Sequence, residues 1–324
     1  VRAGPPPARR PRGLRALVVV LLLVVASGCL SVGGCTTFDG QTVVLRHDST
    51  LDTLDVLLVY RGLRAAGPME DAVAQLRKAR GQRVVALGSP LLCLDVDGVM
   101  APEGAPREPS AFMARLQAAL AGLLVLDQGL WQDSAGRLCG AQRVRLTGVT
   151  NVLDQVNAAL RDSLLTDARW LRDLLEELGL GAPEDMAEVQ RLLSAAPSFD
   201  FLALKGAAVT LSLPLAPEQQ ARVRAAVLAG LARLETRAEA GDGDAAAQRR
   251  FLLEHDVSIA TDGTGLHLVI GDPAQDELVL QWPVERPLDT NLAEALRAER
   301  WEIGAPEAEE AVRASFDAPL VDAK

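Results

Sequence analysis

Strand-like segments in this chain arrive in adjacent pairs around short polar turns, and this limits the available folds more than any other feature. Residues 42–46 and 54–60 are apolar, β-branched runs separated by His47-Asp48-Ser49-Thr50. Residues 123–132 and 138–146 flank Asp133-Ser134-Ala135-Gly136, and residues 257–260 and 266–270 flank Thr261-Asp262-Gly263-Thr264-Gly265. Residues 83–87 and 91–94 make a shorter candidate pair, while 209–213 and 278–282 alternate on their own. Neighbouring runs joined by tight turns pair antiparallel, whereas a doubly wound sheet needs a crossover between consecutive strands. The expected fold class is α+β: antiparallel hairpins with packed helices and a helical insert.

Helical periodicity fills the intervals. Pro68 opens a helix with Met69, Ala72, Val73 and Leu76 on one face. Ser110 is placed to cap another carrying Phe112, Leu116 and Leu120. From Thr150 the apolar residues Val152, Val156, Leu160 and Leu164 recur every four positions. Pro183 and Pro217 start two further helices. Gly241-Asp242-Gly243-Asp244 reads as a solvated loop rather than a calcium site. This pattern divides the chain into a leader (1–28), a tether (29–40), an α+β region (41–148), a helical insert (149–198), a second α+β region (199–300) and an acidic tail (301–324).

Charge and composition remove several functions. The chain carries 33 basic and 43 acidic side chains, a net charge of −10. Five of the bases (Arg2, Arg9, Arg10, Arg12 and Arg15) crowd the first 15 residues. The body is therefore more acidic still, which repels phosphate backbones, so no nucleic-acid partner is expected. Three histidines and no CxxC pair leave little material for a zinc site. No GxGxxG or Walker loop appears, and no cofactor is implied. His47, His255 and His267 are scattered without a GxSxG or HExxH motif, so no hydrolase triad is visible.

Behind the five arginines, residues 17–25 are uninterrupted Leu and Val, followed by Ala26-Ser27-Gly28 and Cys29. A short apolar stretch between positive charge and small residues is the layout of an export signal, and it is shorter than the roughly 20 apolar residues of a spanning helix. A cysteine directly after small residues is similar to the lipobox of bacterial lipoproteins. That resemblance implies cleavage before Cys29, acylation of its thiol, and a mature chain held on a membrane by two or three acyl chains. Cys35, after Val32-Gly33-Gly34, is the alternative lipidation site, and an uncleaved anchor over residues 16–32 is the alternative to cleavage. Export would permit a disulfide between Cys93 and Cys139, although buried free thiols fit the same strand positions. Leu30 lacks the acidic character that retains lipoproteins at an inner membrane, which favours an outer membrane, facing the periplasm or the cell surface. The expectation is an exported, membrane-anchored protein with a non-enzymatic binding or structural role at the cell envelope, its protein or envelope partner unknown.

One constellation points elsewhere. Leu94-Asp95-Val96-Asp97-Gly98 resembles the first motif of the haloacid dehalogenase superfamily of phosphohydrolases, and Ile270-Gly271-Asp272-Pro273-Ala274-Gln275-Asp276 resembles its last. The resemblance implies a parallel sheet and a magnesium ion. Asp95 would be nucleophile, Asp97 acid or base, Lys205 the phosphate-orienting lysine, and Asp95, Asp97, Asp272 and Asp276 the metal ligands. The competing reading is turn chemistry, since Asp and Gly after an apolar strand accommodate tight turns.

Overall fold

The computed structural model describes residues 36–318, apart from 82–83, 88–91, 96–110, 167–171, 173–174, 177, 179, 181, 197 and 283–288. In chain order its elements are β1 (Thr36–Thr37), β2 (Gly40–Asp48), β3 (Thr53–Arg61), β4 (Arg64–Ala65), α1 (Met69–Gly81), β5 (Val84–Leu87), β6 (Leu92–Asp95), α2 (Ala111–Leu120), β7 (Leu123–Gln132) and β8 (Leu138–Thr147). There follow α3 (Val149–Thr166), α4 (Pro183–Ala195), β9 (Leu202–Lys205), β10 (Ala208–Leu213), α5 (Pro217–Glu239), α6 (Gly243–Glu254), β11 (Ser258–Thr261), β12 (Leu266–Ile270), β13 (Leu278–Trp282), α7 (Asn291–Ala298) and α8 (Ala308–Asp317). The fold is α+β, and the pairings between these strands are antiparallel.

Five strands in the order β13-β2-β3-β8-β7 form the main sheet, and four in the order β11-β12-β10-β9 form a second. In β3 the run Leu57-Leu58-Val59-Tyr60 is buried throughout, because both faces of this central strand are covered. Leu58 and Tyr60 join Phe38, Val43 and Leu63 beneath Ala72 and Val73 of α1 and Leu292, Ala293 and Leu296 of α7. Further along the same face, Leu45, Leu278 and Leu280 meet the apolar side of the second sheet, including Leu268 and Ile270. α3, α4 and α5 pack around the other end of that sheet through Leu160, Leu164, Val189, Leu193 and Val223.

The opposite face of the main sheet is closed by α8. Ala308, Val312 and Phe316, spaced by four, bring one stripe of the helix onto Val44, Leu57, Val59, Trp131, Cys139 and Ala141. Polar residues on this face converge on the Phe316 ring, with the Arg46, Arg143 and Arg313 guanidiniums 4.5, 5.1 and 5.7 Å from its centroid. Each guanidinium has an acidic or carbonyl partner. Arg46 and Arg313 both donate to Glu277. Arg143 donates to the Ser315 carbonyl at 2.9 Å and to Asp55, which also takes two bonds from Arg145. Arg61 pairs with Glu309 of α8.

The structure adds to three points of that organisation. The acidic tail over 301–324 is structural as far as residue 318: its acids pair with sheet arginines, and an apolar stripe too sparse to show in composition packs on the sheet. The region 199–300 contributes to both sheets, since β13 completes the main sheet on β2, with Leu278 opposite Leu45 and Trp282 opposite Gln41. The loop 241–244 is brief, because Asp242 caps α6 by accepting a hydrogen bond from Ala245 N at 3.1 Å.

Truncating Phe316 removes both the apolar plug and the surface on which three cations stack. Phe316→Ala should cost about 3–5 kcal/mol of stability in urea unfolding, as for other buried Phe→Ala changes. A loss below 1 kcal/mol would mean that α8 contributes little to the sheet.

Burial pushes the Asp55 and Glu277 carboxyls up, but hydrogen bonds and charge from Arg143 and Arg145 in one case and Arg313 and Arg46 in the other outweigh it and hold both below the ordinary range. Their stabilising contribution is therefore complete above the pKa values of the unfolded chain, near 4, and is lost as pH falls through the lower folded values. Melting temperature should hold above about pH 4 and fall as pH drops below it, to roughly the extent that such linkage sets acid denaturation. Glu277→Gln should flatten that slope, and an unchanged slope would count against the pairing.

Candidate functional site

A half-open pocket of about 120 Å3 lies between α1 and the β3-β8-β7 end of the main sheet. Its apolar lining comes from Phe38, Tyr60, Leu63, Leu76, Leu130 and Trp301, drawn from five separate stretches of chain. Phe38 and Tyr60 meet at 5.2 Å between ring centroids, tilted by 58°. Space is opened by the sheet itself. β7 carries a bulge between Asp127 and Gly129, and Gly129 holds φ +95, a conformation that suits glycine. Across from it, a Cβ on Gly140 would sit 2.8 Å from Leu130 Cδ2 and 3.2 Å from Leu63 Cδ1, so a side chain there would crowd the lining.

Polar groups around this pocket already have partners. Tyr60 OH donates to Gln142 Oε1 at 2.7 Å, and Gln75 Oε1 accepts from Thr36 N at 2.7 Å. Thr36 Oγ1 donates to the Ala72 carbonyl at 3.2 Å, so β1 is fastened to α1 where the described chain begins. At the rim, Arg80 Nε donates to Asp127 Oδ2 at 2.7 Å while its guanidinium lies 5.4 Å from the Trp301 ring. What remains open is hydrocarbon surface with one ion pair and one indole at its mouth. Such a site suits an apolar group carrying a polar head.

The residues of the phosphohydrolase resemblance are placed as follows. Asp95 ends β6 and pairs with Val84 of β5 in an antiparallel two-stranded hairpin. Its side chain, that of Cys93, and all of Asp97 lie outside the described residues, as do Cys29 and Cys35. Lys205 ends β9 and is exposed. The Gly206 turn packs on the loop after β12: a Cβ on Gly206 would lie 2.2 Å from the Pro273 carbonyl, and Ala207 N donates to the Gln275 carbonyl. Lys205 thus belongs to a turn beside the 272–276 segment, while Asp95 sits in a different sheet. The segment with Asp272 and Asp276 carries the chain from the second sheet to the first. It runs directly into β13, which pairs antiparallel with β2 where the resemblance implies a parallel sheet. Asp272 Oδ1 accepts from Ala274 N at 2.9 Å, which is turn chemistry. Among the described residues no three metal-ligating side chains cluster.

Sequence reasoning treated the histidines as scattered, and one of them has close polar neighbours. Ser212 and His267 are cross-strand partners in the β10–β12 register, with Oγ 2.8 Å from Nδ1. His267 Nε2 lies 3.1 Å from Asp262 Oδ1 without hydrogen-bond alignment. The Asp262 carboxyl is held below the ordinary range by a bond from the Thr264 hydroxyl, by the nearby His267 ring and by a bond from the Thr264 backbone N–H. Ser212 is only 7% exposed, and its hydroxyl is taken up by the ring. The array braces the Asp262 turn against two strands and does not present a nucleophile. His255 serves a similar end, accepting from Gln281 N at 3.0 Å and so joining α6 to β13.

Comparison of the chain with family models, with curated proteins and with solved structures finds no match.

Cys139 lies behind the pocket, on the α8 face, as a free thiol with no exposed surface. Burial is the main cause that pushes its pKa up to about 11. At pH 8 only about 0.1% of such a thiol is thiolate, so alkylation of Cys139 should be negligible in the native protein and complete in denaturant. Peptide mapping after iodoacetamide treatment reads this, and rapid native labelling would contradict the burial.

Proposed function

We propose that this chain is an exported lipoprotein, acylated on Cys29, that acts at the cell envelope by binding and not by catalysis. The observation that carries the reading is the order Arg-rich segment, apolar residues 17–25, small residues 26–28, Cys29, and then a folded body beginning at Thr36. Seven residues of extended chain reach at most about 25 Å, so an acylated Cys29 holds the body close to the bilayer surface. Two or three acyl chains on one cysteine give stable anchoring where a single chain gives only marginal attachment. Among the described residues no helix is long and apolar enough to cross a membrane. The pocket beside Thr36 is the binding site, and an outer membrane is the favoured location.

Metabolic labelling with an alkyne-bearing palmitate in a bacterial host tests this. The full-length protein should take up label and fractionate with membranes, and Cys29→Ala should abolish labelling while Cys35→Ala leaves it intact. Loss of label in Cys35→Ala alone would move the site to Cys35. Absence of label from the unaltered chain would overturn the reading.

A further inference from the structure

We infer that the pocket between α1 and the main sheet takes the end of one acyl chain from a bilayer lipid. The inference rests on the lipid-anchored reading and names the ligand class of that same site. Volume is the first argument. About 120 Å3 is close to the ~150 Å3 apolar cavity that holds a benzene ring, and so matches an apolar group of roughly six heavy atoms. A whole lipid does not fit, but the last methylenes of one chain do.

Chemistry is the second argument. Phe38, Tyr60, Leu63, Leu76, Leu130 and Trp301 present hydrocarbon and aromatic surface. The nearby Tyr60 hydroxyl and Gln75 carbonyl oxygen are already engaged within the protein, so a polar ligand would find little to exchange for its water. An apolar chain gives up no hydrogen bond by entering. At the mouth, the Arg80–Asp127 pair and Trp301 form the charged and amphipathic border that suits the glycerol and headgroup end of a lipid.

Position is the third. Thr36 is part of the pocket wall and stands seven residues after Cys29, within about 25 Å along extended chain. The anchor therefore holds the pocket where lipid is the most abundant apolar partner. Ala79 lines the pocket from α1 and is partly exposed, so a larger residue there can occupy the space without altering the helix backbone.

The test feeds cells a fatty acid carrying a diazirine and an alkyne, irradiates them, and maps adducts on the full-length protein by mass spectrometry. Peptides containing Leu76, Leu130 or Trp301 should carry intact lipid adducts. Both Ala79→Trp and Ala79→Leu should lower those adducts by at least about tenfold, the equivalent of one decade in affinity. Native resistance of Cys139 to alkylation in each variant shows that the fold is kept. Pocket peptides free of adduct while the Cys29 peptide carries acyl label would overturn this inference and leave the anchor standing. A single cross-linked species joining the Cys29 lipid to a pocket peptide would assign the pocket to the protein's own anchor and overturn the bilayer source. Unacylated Cys29 and Cys35 with pocket adducts still sensitive to Ala79→Trp would remove the anchor and sustain the pocket.

Discussion

The face of the main sheet under α8 carries Arg46, Arg61, Arg143, Arg145 and Asp55 among its aliphatic residues, with Glu277 at its edge, and such a face is costly to bury unless each charge finds a partner. Phe316 makes the burial workable. Its ring gives Arg46, Arg143 and Arg313 a flat, electron-rich surface, and the chain around it supplies the Ser315 carbonyl and the Asp317 carboxylate as acceptors. Arg143, only 3% exposed, could not be tolerated without that set. With α8 seated, β3 is covered on both sides and can consist of consecutive apolar residues. Without it, Leu57, Val59, Cys139 and Ala141 would face water beside a layer of charge.

Closure of that face lets the other be built less tightly. The second sheet covers the β13–β2 edge, and α7 with α1 covers the middle. Towards β7 the cover thins to the last turn of α1 and to Trp301, and the bulge at Gly129 draws the strand away from regular pleating. The pocket is what is left between a helix end and a bent edge strand. Bulges at sheet edges commonly redirect side chains next to binding sites, and here one clears a space instead. Gly304 ties the arrangement together, bonding to the Leu130 and Gln132 backbones so that Trp301 is held over the opening.

Much of the local structure was legible because alternation and helical period are local signals. The hairpins β2–β3, β7–β8 and β11–β12 follow from runs of apolar residues around Asp- and Gly-containing turns. The same locality explains the failures. β9 is four residues long, too short for its alternation to stand out. α6 has little apolar periodicity, and its Asp242 cap looked like part of a loop. α8 was averaged into an acidic tail, although Val312 and Phe316 at a spacing of four carry its packing. The β13–β2 pairing joins residues more than 230 positions apart, and nothing in either strand names the other. The pocket has no sequence signature for the same reason, and the Ser212–His267 contact becomes readable only once the β10–β12 register is known. The Asp-rich segments at 95–97 and 272–276 looked like chemistry because tight turns and metal sites draw on the same residues.

Energetics favour a pocket that works near a membrane over one that works in bulk water. Taking about six methylenes out of water gains roughly 5 kcal/mol, which corresponds to a dissociation constant of a few hundred micromolar before any ordering cost is charged. A pocket of this size is therefore a weak trap for a free ligand at low concentration. Beside a bilayer the balance changes in kind. The acyl chain leaves one hydrocarbon surrounding for another, so the hydrophobic term largely cancels, and occupancy depends on proximity and on the contacts at the rim. In the anchoring proposed above, the seven-residue step from Cys29 to Thr36 would supply the proximity by holding pocket and lipid at a high effective concentration. The rim then decides the outcome, because Arg80, Asp127 and Trp301 are the groups a lipid headgroup would meet on the way in. Weak intrinsic affinity is an advantage in that setting, since a chain held by a few methylenes can return to the bilayer as readily as it left.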